Sequence, residues 1–248
     1  MTSLSAFALL GLGLLFGLKH ATEADHIVAI SSIVSRERSL LRSAAVGALW
    51  GVGHTASLII VGIVVLALRV AVPETIAHWL EFGVALMIIV LGISALVRVR
   101  SGRRRDVHLH QHKHDGVSHV HLHFHEHGTE HTGRVGAHSH TVSKIGFKPL
   151  LVGAMHGLAG SAALTLLVLT QVDSTVLGLA YLGAFGIGSI VGMLLMSGLI
   201  GLPFVLSARR FGGVHDGLQT LAGALSLAFG LWYAYETGIA SGLWRTLL

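Results

Sequence analysis

The sequence predicts an all-α membrane protein with six transmembrane helices, arranged as two inverted three-helix repeats. Three observations predict this class: a composition short of charge, six long apolar runs, and a motif order that recurs in the second half. The chain is 52% hydrophobic and 12% charged, whereas a soluble domain carries roughly 25% charged residues. Too few charges are therefore available to cover a water-facing surface.

Six apolar segments carry the prediction of helices. A membrane-spanning helix needs about 20 mostly apolar residues, and runs of this length favour helices over the roughly 10-residue strands of a barrel. The segments are residues 4–34, 41–70, 76–97, 147–169, 176–206 and 218–237. We divide the chain into a first repeat (1–100), a histidine-rich cytoplasmic loop (101–146), a second repeat (147–240) and a tail (241–248).

The two halves share short motifs in the same order. The matched pairs are 17–20 with 153–156, 51–54 with 186–189, and Glu81 and Gly92 with Gln219 and Gly230. Each half holds three spans, an odd number, so the halves must be inverted relative to each other. Inverted repeats are a common transporter plan, with the binding site near the membrane midplane.

Arginine clusters set the predicted orientation. They follow the first, third and fifth segments, and the positive-inside rule places that face in the cytoplasm. The cationic residues are Arg36, Arg38, Arg42, Arg98, Arg100, Arg103, Arg104, Arg105, Arg209 and Arg210. This predicts a multi-pass protein of the plasma membrane with both termini outside. The net charge of +5 therefore points to the lipid bilayer as partner and not to nucleic acid.

The first apolar segment contains a polar cluster, His20, Glu23, Asp25 and His26. Ionisable groups at membrane depth cost several kcal/mol and are candidates for function. The alternative places them at the end of a short helix, solvated by headgroups, but the apolar run 27–34 that follows favours membrane depth. On a continuous helix, Asp25 and His26 would point about 140° and 240° away from His20. Either the helix is broken here, as we predict, or only a subset binds.

Two further histidines lie on other segments. His156 occupies the repeat position of His20, and His54 lies in a glycine-rich stretch of the second segment. Each is a candidate metal ligand, although a lone histidine in a helix is often a hydrogen-bonded core residue. Imidazole and carboxylate without sulfur suit nickel, cobalt, zinc or copper(II), and the chain has no cysteine. Glu81 is interpreted as a residue at the outer boundary of the third segment.

Residues 107–141 hold twelve of the 18 histidines. Histidine-rich tracts are typical of metal binding, and alternation places successive rings on one side of an extended chain. We expect disorder without metal, since core-forming residues are lacking, and a role in buffering ions; an incidental, solvated linker is the alternative. The candidate ligands are His108, His110, His112, His114, His119, His121, His123, His125 and His127.

The motif His20, four residues, then Asp25 and His26 resembles the signature of the nickel/cobalt transporter family. The glycine-flanked His54 resembles a second family motif, and residues 155–161 are similar to the short branch of urease-accessory-type membrane proteins. The resemblance implies that His20, Asp25 and His26 serve metal uptake. Larger members have eight spans and no long histidine loop, and a six-span branch with such loops includes exporters.

The function we predict is uptake of Ni²⁺ or Co²⁺ by alternating access, with the ion as substrate and no prosthetic group. A membrane potential supplies about 2.3 kcal/mol per charge per 100 mV, which favours entry of a divalent cation. Efflux by proton antiport is the alternative, with Glu23 and Asp25 as coupling groups. A membrane metal sensor or metallochaperone that serves nickel-enzyme accessory proteins is a third interpretation. We do not expect an enzyme, and the sequence specifies no oligomeric state.

Overall fold

The computed structural model describes residues 3–68, 72–102, 107–114, 117–124, 146–171 and 174–243. Its helices are α1 (Ser3–His20), α2 (Ala24–Val34), α3 (Leu40–Leu68), α4 (Glu74–Gly102), α5 (Lys148–Gln171), α6 (Thr175–Arg210) and α7 (Gly212–Ala234). A π-helical turn, Tyr235–Ala240, follows α7. The prediction of an all-α bundle is confirmed.

Length and composition identify candidate membrane spans among these helices. Within the described part of the chain, three helices are long and apolar enough to cross a membrane: Leu40–Leu68, Glu74–Ser101 and Thr175–Ala208. The first apolar segment is divided into the shorter helices α1 and α2, because the chain breaks at the polar motif. In the second half α5 is continuous through His156, so the break is not repeated there.

Two strands lie between α4 and α5 and belong to a separate unit of the chain, residues 97–144. Strand β1 (Val107–His114) pairs antiparallel with β2 (Val117–Phe124), and the register sets His108, His110 and His112 opposite His123, His121 and His119. Along these strands most histidines stand two residues apart, which is the period typical of a strand. The predicted disorder of the loop in the absence of metal stays a prediction. His125 and His127 lie outside the described residues.

Glycines allow α3 to lie directly against the backbone of α5. A Cβ atom added at Gly53 would overlap the carbonyl oxygen of Leu150, and one added at Gly153 would overlap that of Trp50. Small residues permit this close approach of membrane helices. The contact holds the histidine of α3 beside that of α5.

The same kind of contact joins α1 to α6. A Cβ atom at Gly17 would overlap the carbonyl oxygen of Phe185, and one at Gly188 would overlap that of Leu14. Both contacts lie within two turns of the end of α1 at His20. The packing of α1 against α6 therefore fixes the position of His20.

We expect Gly53→Ala to destabilise the bundle, because the added methyl group must push α5 away from α3. Forcing an extra methyl group into such a packed contact costs about 1–3 kcal/mol. Gly83→Ala is the matched control, since no described atom lies within 4 Å of its added Cβ. Thermal unfolding in detergent should show a lower midpoint for Gly53→Ala alone; equal midpoints for the two variants would contradict this packing.

Polar contacts anchor α2 to α7. The hydroxyl groups of Ser32 and Ser226 are hydrogen-bonded at 2.6 Å, and Gln219 donates through Nε2 to the carbonyl oxygen of Ser35 at 2.9 Å. One bond lies in the last turn of α2 and the other directly after it, at the end remote from the break at residues 21–23. They hold this short helix in place although it is not continuous with α1.

Candidate metal centre

The break between α1 and α2 brings the first polar motif together. The first helix ends at His20 and the second begins at Ala24, while Glu23 has an extended backbone with φ −66° and ψ 149°. Because the chain changes direction here, the rings of His20 and His26 lie edge to face with their centroids 4.5 Å apart. Of the two geometries left open by the sequence, the structure has the broken helix.

Three histidines form one group of closely spaced ligand atoms. His20, His26 and His54 each offer a ring nitrogen, and these atoms lie within 4.8 Å of one another. The Nε2 atoms of His20 and His54 are 3.1 Å apart. At metal–nitrogen distances of about 2.0–2.1 Å, two nitrogens bound to one ion at right or tetrahedral angles lie about 2.9–3.4 Å apart. The spacing therefore equals that of two ligands on one ion.

Asp25, His26 and His156 form a second group, which shares His26 with the first. One carboxylate oxygen of Asp25 lies 3.1 Å from Nδ1 of His26, and the other lies 2.6 Å from Nε2 of His156. A ring N–H that donates to a carboxylate leaves the opposite nitrogen free and fixes its direction. Asp25 thus links a histidine of α2 to one of α5.

Burial makes these imidazoles suitable ligands. His26, His54 and His156 are each no more than 2% exposed. Among the described residues, Nε2 of His26, Nδ1 of His54 and Nδ1 of His156 have no hydrogen-bond partner. A buried polar atom without a partner costs about 1–3 kcal/mol, and binding to a cation would satisfy Nε2 of His26. In His54 the unpartnered Nδ1 is the ring nitrogen opposite the Nε2 that faces His20.

A cavity of about 460 Å³ adjoins the cluster. Its polar lining includes His20, Asp25, His26 and His156, whereas His54 does not line it. Glu23 also lines the cavity, lies 3.0 Å from Nδ1 of His20, and has a side chain that is 54% exposed. Glu23 therefore connects the buried cluster with the protein surface.

The cavity also contains residues that the sequence did not predict for the site. Glu81 of α4 and Tyr233 of α7 line it, together with Tyr181 and Phe185 of α6. Sequence reasoning placed Glu81 at the membrane boundary, and no motif marked the aromatic residues. The charge of Glu81 inside an apolar segment was the one available signal, since such residues are functional candidates.

Comparison with known proteins agrees with the chemistry of this cluster. Residues 6–234 match the NicO family model, described as high-affinity nickel-transport protein. The chain is 36% identical to the urease accessory protein UreH of Bacillus sp. (strain TB-90), over 99% of this chain and 98% of that protein. It is 26% identical to the chloroplast protein FOR GROWTH AND FERTILITY 1 of Arabidopsis thaliana, over 88% of this chain and 56% of that protein. No solved structure matches.

The family match extends over almost the whole chain. It confirms the resemblance to nickel/cobalt transporters that the motif around His20, Asp25 and His26 indicated, and it confirms a transporter in place of an enzyme. On these grounds, the chain belongs to the NicO family of high-affinity nickel-transport proteins.

Proposed function

We propose that this protein carries Ni²⁺ or Co²⁺ into the cytoplasm and binds the ion at the histidine cluster during transit. The observation that carries the proposal is the convergence of four histidines and one aspartate from α1, α2, α3 and α5 beside a cavity. Nitrogen ligands with a carboxylate suit these ions. In this proposal an ion gradient or the membrane potential supplies the driving force.

His20, His26 and His54 supply the ligand nitrogens in this proposal. The Asp25 carboxylate stabilises the cation and, through Nδ1 of His26, keeps Nε2 of that ring free for the ion. His156 completes the cluster on the opposite side of His26, with ring centroids 4.2 Å apart. Glu23, at the exposed edge, would attract the arriving cation by charge.

The six-span, inverted-repeat arrangement is part of the proposal, and equivalent contacts in the two halves support it. Gly17 lies against the carbonyl group of Phe185, and its match Gly153 lies against that of Trp50. Phe185 and Trp50 are themselves matched, because each immediately precedes the second shared motif. Such reciprocal contacts are expected of two halves related by a pseudo-two-fold axis.

The helix directions support the same arrangement. A Cβ atom at Gly47 would overlap Ser197, near the end of α6, whereas one at Gly62 would overlap Leu182, near its start. Helices α3 and α6 are therefore antiparallel. This agrees with spans that alternate in direction, with Arg36 and its neighbours on the cytoplasmic face and both termini outside.

The cavity position supports uptake. On the predicted orientation α6 enters the membrane from outside at Thr175, and Tyr181 and Phe185 in its first turns line the cavity. An ion would reach the cluster from the outer side, and the interior-negative potential would draw it inward. For a divalent cation this supplies roughly 4.6 kcal/mol at 100 mV. The cytoplasmic histidine-rich loop would buffer arriving ions, and nickel-enzyme accessory proteins would receive them.

Cells that express the protein should accumulate more radioactive nickel than cells that express His20→Ala, because inward transport follows the membrane potential. At about 100 mV the potential allows an accumulation above a thousandfold, and a protonophore that collapses it should remove most of the difference. Lower cellular nickel and greater nickel tolerance on expression would instead identify the protein as an exporter.

A further inference from the structure

A second, much smaller cavity of about 10 Å³ shares His26 in its lining with the large one. Ala21, His26, Ile30, Trp50, Met193, Met196 and Ser197 line it. A cavity of about 10–15 Å³ is the smallest that holds one water molecule. The site therefore has room for a single water or a single dehydrated ion.

The helices place this small cavity further along the same direction of travel. On α6, Phe185 lines the large cavity and Ser197 the small one, about 18 Å apart at 1.5 Å per residue. On α2, Asp25 lines the large cavity and Ile30 lines the small one. On the predicted orientation both shifts run toward the cytoplasm.

Two buried polar atoms at the small cavity need a partner. Trp50 and Ser197 are each 1% exposed, and neither the indole Nε1 nor the hydroxyl Oγ has a hydrogen-bond partner in the described part of the chain. A single water molecule in the cavity would supply one. Met193 and Met196 complete the wall with flexible side chains that can change rotamer.

Trp50 occupies the position in the first half that Phe185 occupies in the second. The ring of Phe185 lies 5.4 Å from that of His20, and the ring of Trp50 lies 5.7 Å from that of His156. His20 and His156 are likewise matched residues. Trp50 also stacks on His26, at 5.7 Å and an interplanar angle of 14°. The two aromatic rings thus lie beside matched histidines of the cluster.

We infer that the ion path continues past His26 to Ser197, and that Trp50 is the gate residue between the cluster and this exit. This inference rests on the proposed function. The cavity lined by Phe185 is wide and the cavity lined by Trp50 is nearly closed. This asymmetry corresponds to one state of an alternating-access cycle. In the opposite state the Trp50 ring moves away from His26, the space at Ser197 widens, and the Phe185 side narrows.

The absence of cysteine from the chain makes the gate testable by thiol labelling. Ser197→Cys in the full chain, reconstituted in liposomes, should react slowly with a small charged methanethiosulfonate reagent. Adding Trp50→Ala should raise the labelling rate by at least about tenfold, since labelling follows the population of the open state. Adding Phe185→Ala should not raise the rate, because that ring lines the large cavity, which is already open, and not the small one.

Ser226→Cys is the matched control, because Ser226 is buried between α2 and α7 with no part in either cavity. Trp50→Ala should not expose a thiol there. Unchanged labelling at position 197, or an equal rise at position 226, would overturn the gate. Nickel uptake by liposomes that hold the wild-type chain separates the two proposals: nickel uptake with unchanged labelling refutes the gate alone, whereas no nickel uptake refutes the proposed function.

Discussion

Replacing Asp25 by asparagine should lower nickel affinity by at least about 100-fold, since even residues that only orient metal ligands contribute 10–100-fold. The carboxylate is placed to act in two ways, as a charge beside the ion and as the acceptor that orients His26 at 3.1 Å and His156 at 2.6 Å. An amide of the same size keeps one acceptor oxygen and loses both the charge and the second acceptor. The nickel concentration that gives half-maximal uptake into liposomes measures the change, because equilibrium dialysis would also count the ions that the histidine-rich loop holds.

Glu74→Gln is the matched control for Asp25→Asn. Glu74 is an exposed residue in the first turn of α4 and does not line the cavity, so its loss of charge should leave nickel affinity unchanged. Thermal unfolding should show that both variants remain folded. If Asp25→Asn takes up nickel with the same half-maximal concentration as the wild type, the cluster is not the ion-binding site.

His20→Ala should reduce nickel uptake by about two orders of magnitude, because it removes one ligand of the three-histidine group and the 3.1 Å pair with His54. Loss of a direct ligand should cost at least the 10–100-fold that outer partners contribute. Deletion of residues 107–141 should only weaken uptake, because these residues lie outside the helical unit that holds the cluster. Initial uptake rates in liposomes with an imposed potential compare the two variants.

The comparison also separates transport from a metallochaperone or sensor. A protein whose main function is delivery to a partner would lose function when the histidine-rich loop is deleted. Its function would survive His20→Ala, because the loop histidines would still bind metal. For a transporter we expect the opposite: His20→Ala should reduce nickel uptake strongly, and deletion of the loop should reduce it only weakly. Complete loss on loop deletion with normal uptake by His20→Ala would exclude the proposed path.

The sequence predicted which residues belong to the cluster better than it predicted their arrangement in three dimensions. Ionisable residues inside an apolar segment cost free energy. The position of His20, Asp25 and His26 within such a segment therefore identified them as candidates for function. His156 was found only through its match to His20 in the repeat. All of them lie in or beside one cluster, but their role as ligands stays a prediction. Glu81 was placed at a boundary because an isolated charge carries no information about which cavity it lines.

The sequence by itself determined the membrane class, the helical segments and the candidate ligands, because hydropathy and the energetic cost of buried charge are properties of local residue types. The sequence predicted a break in the first segment, but only the tertiary structure decided that it lies at residues 21–23. The tertiary structure also decided that His26 belongs to both ligand groups and that the Trp50 ring stacks on His26. These features depend on where glycine-lined helices approach one another. Such distances arise from packing between segments far apart in the chain, and no local pattern specifies them.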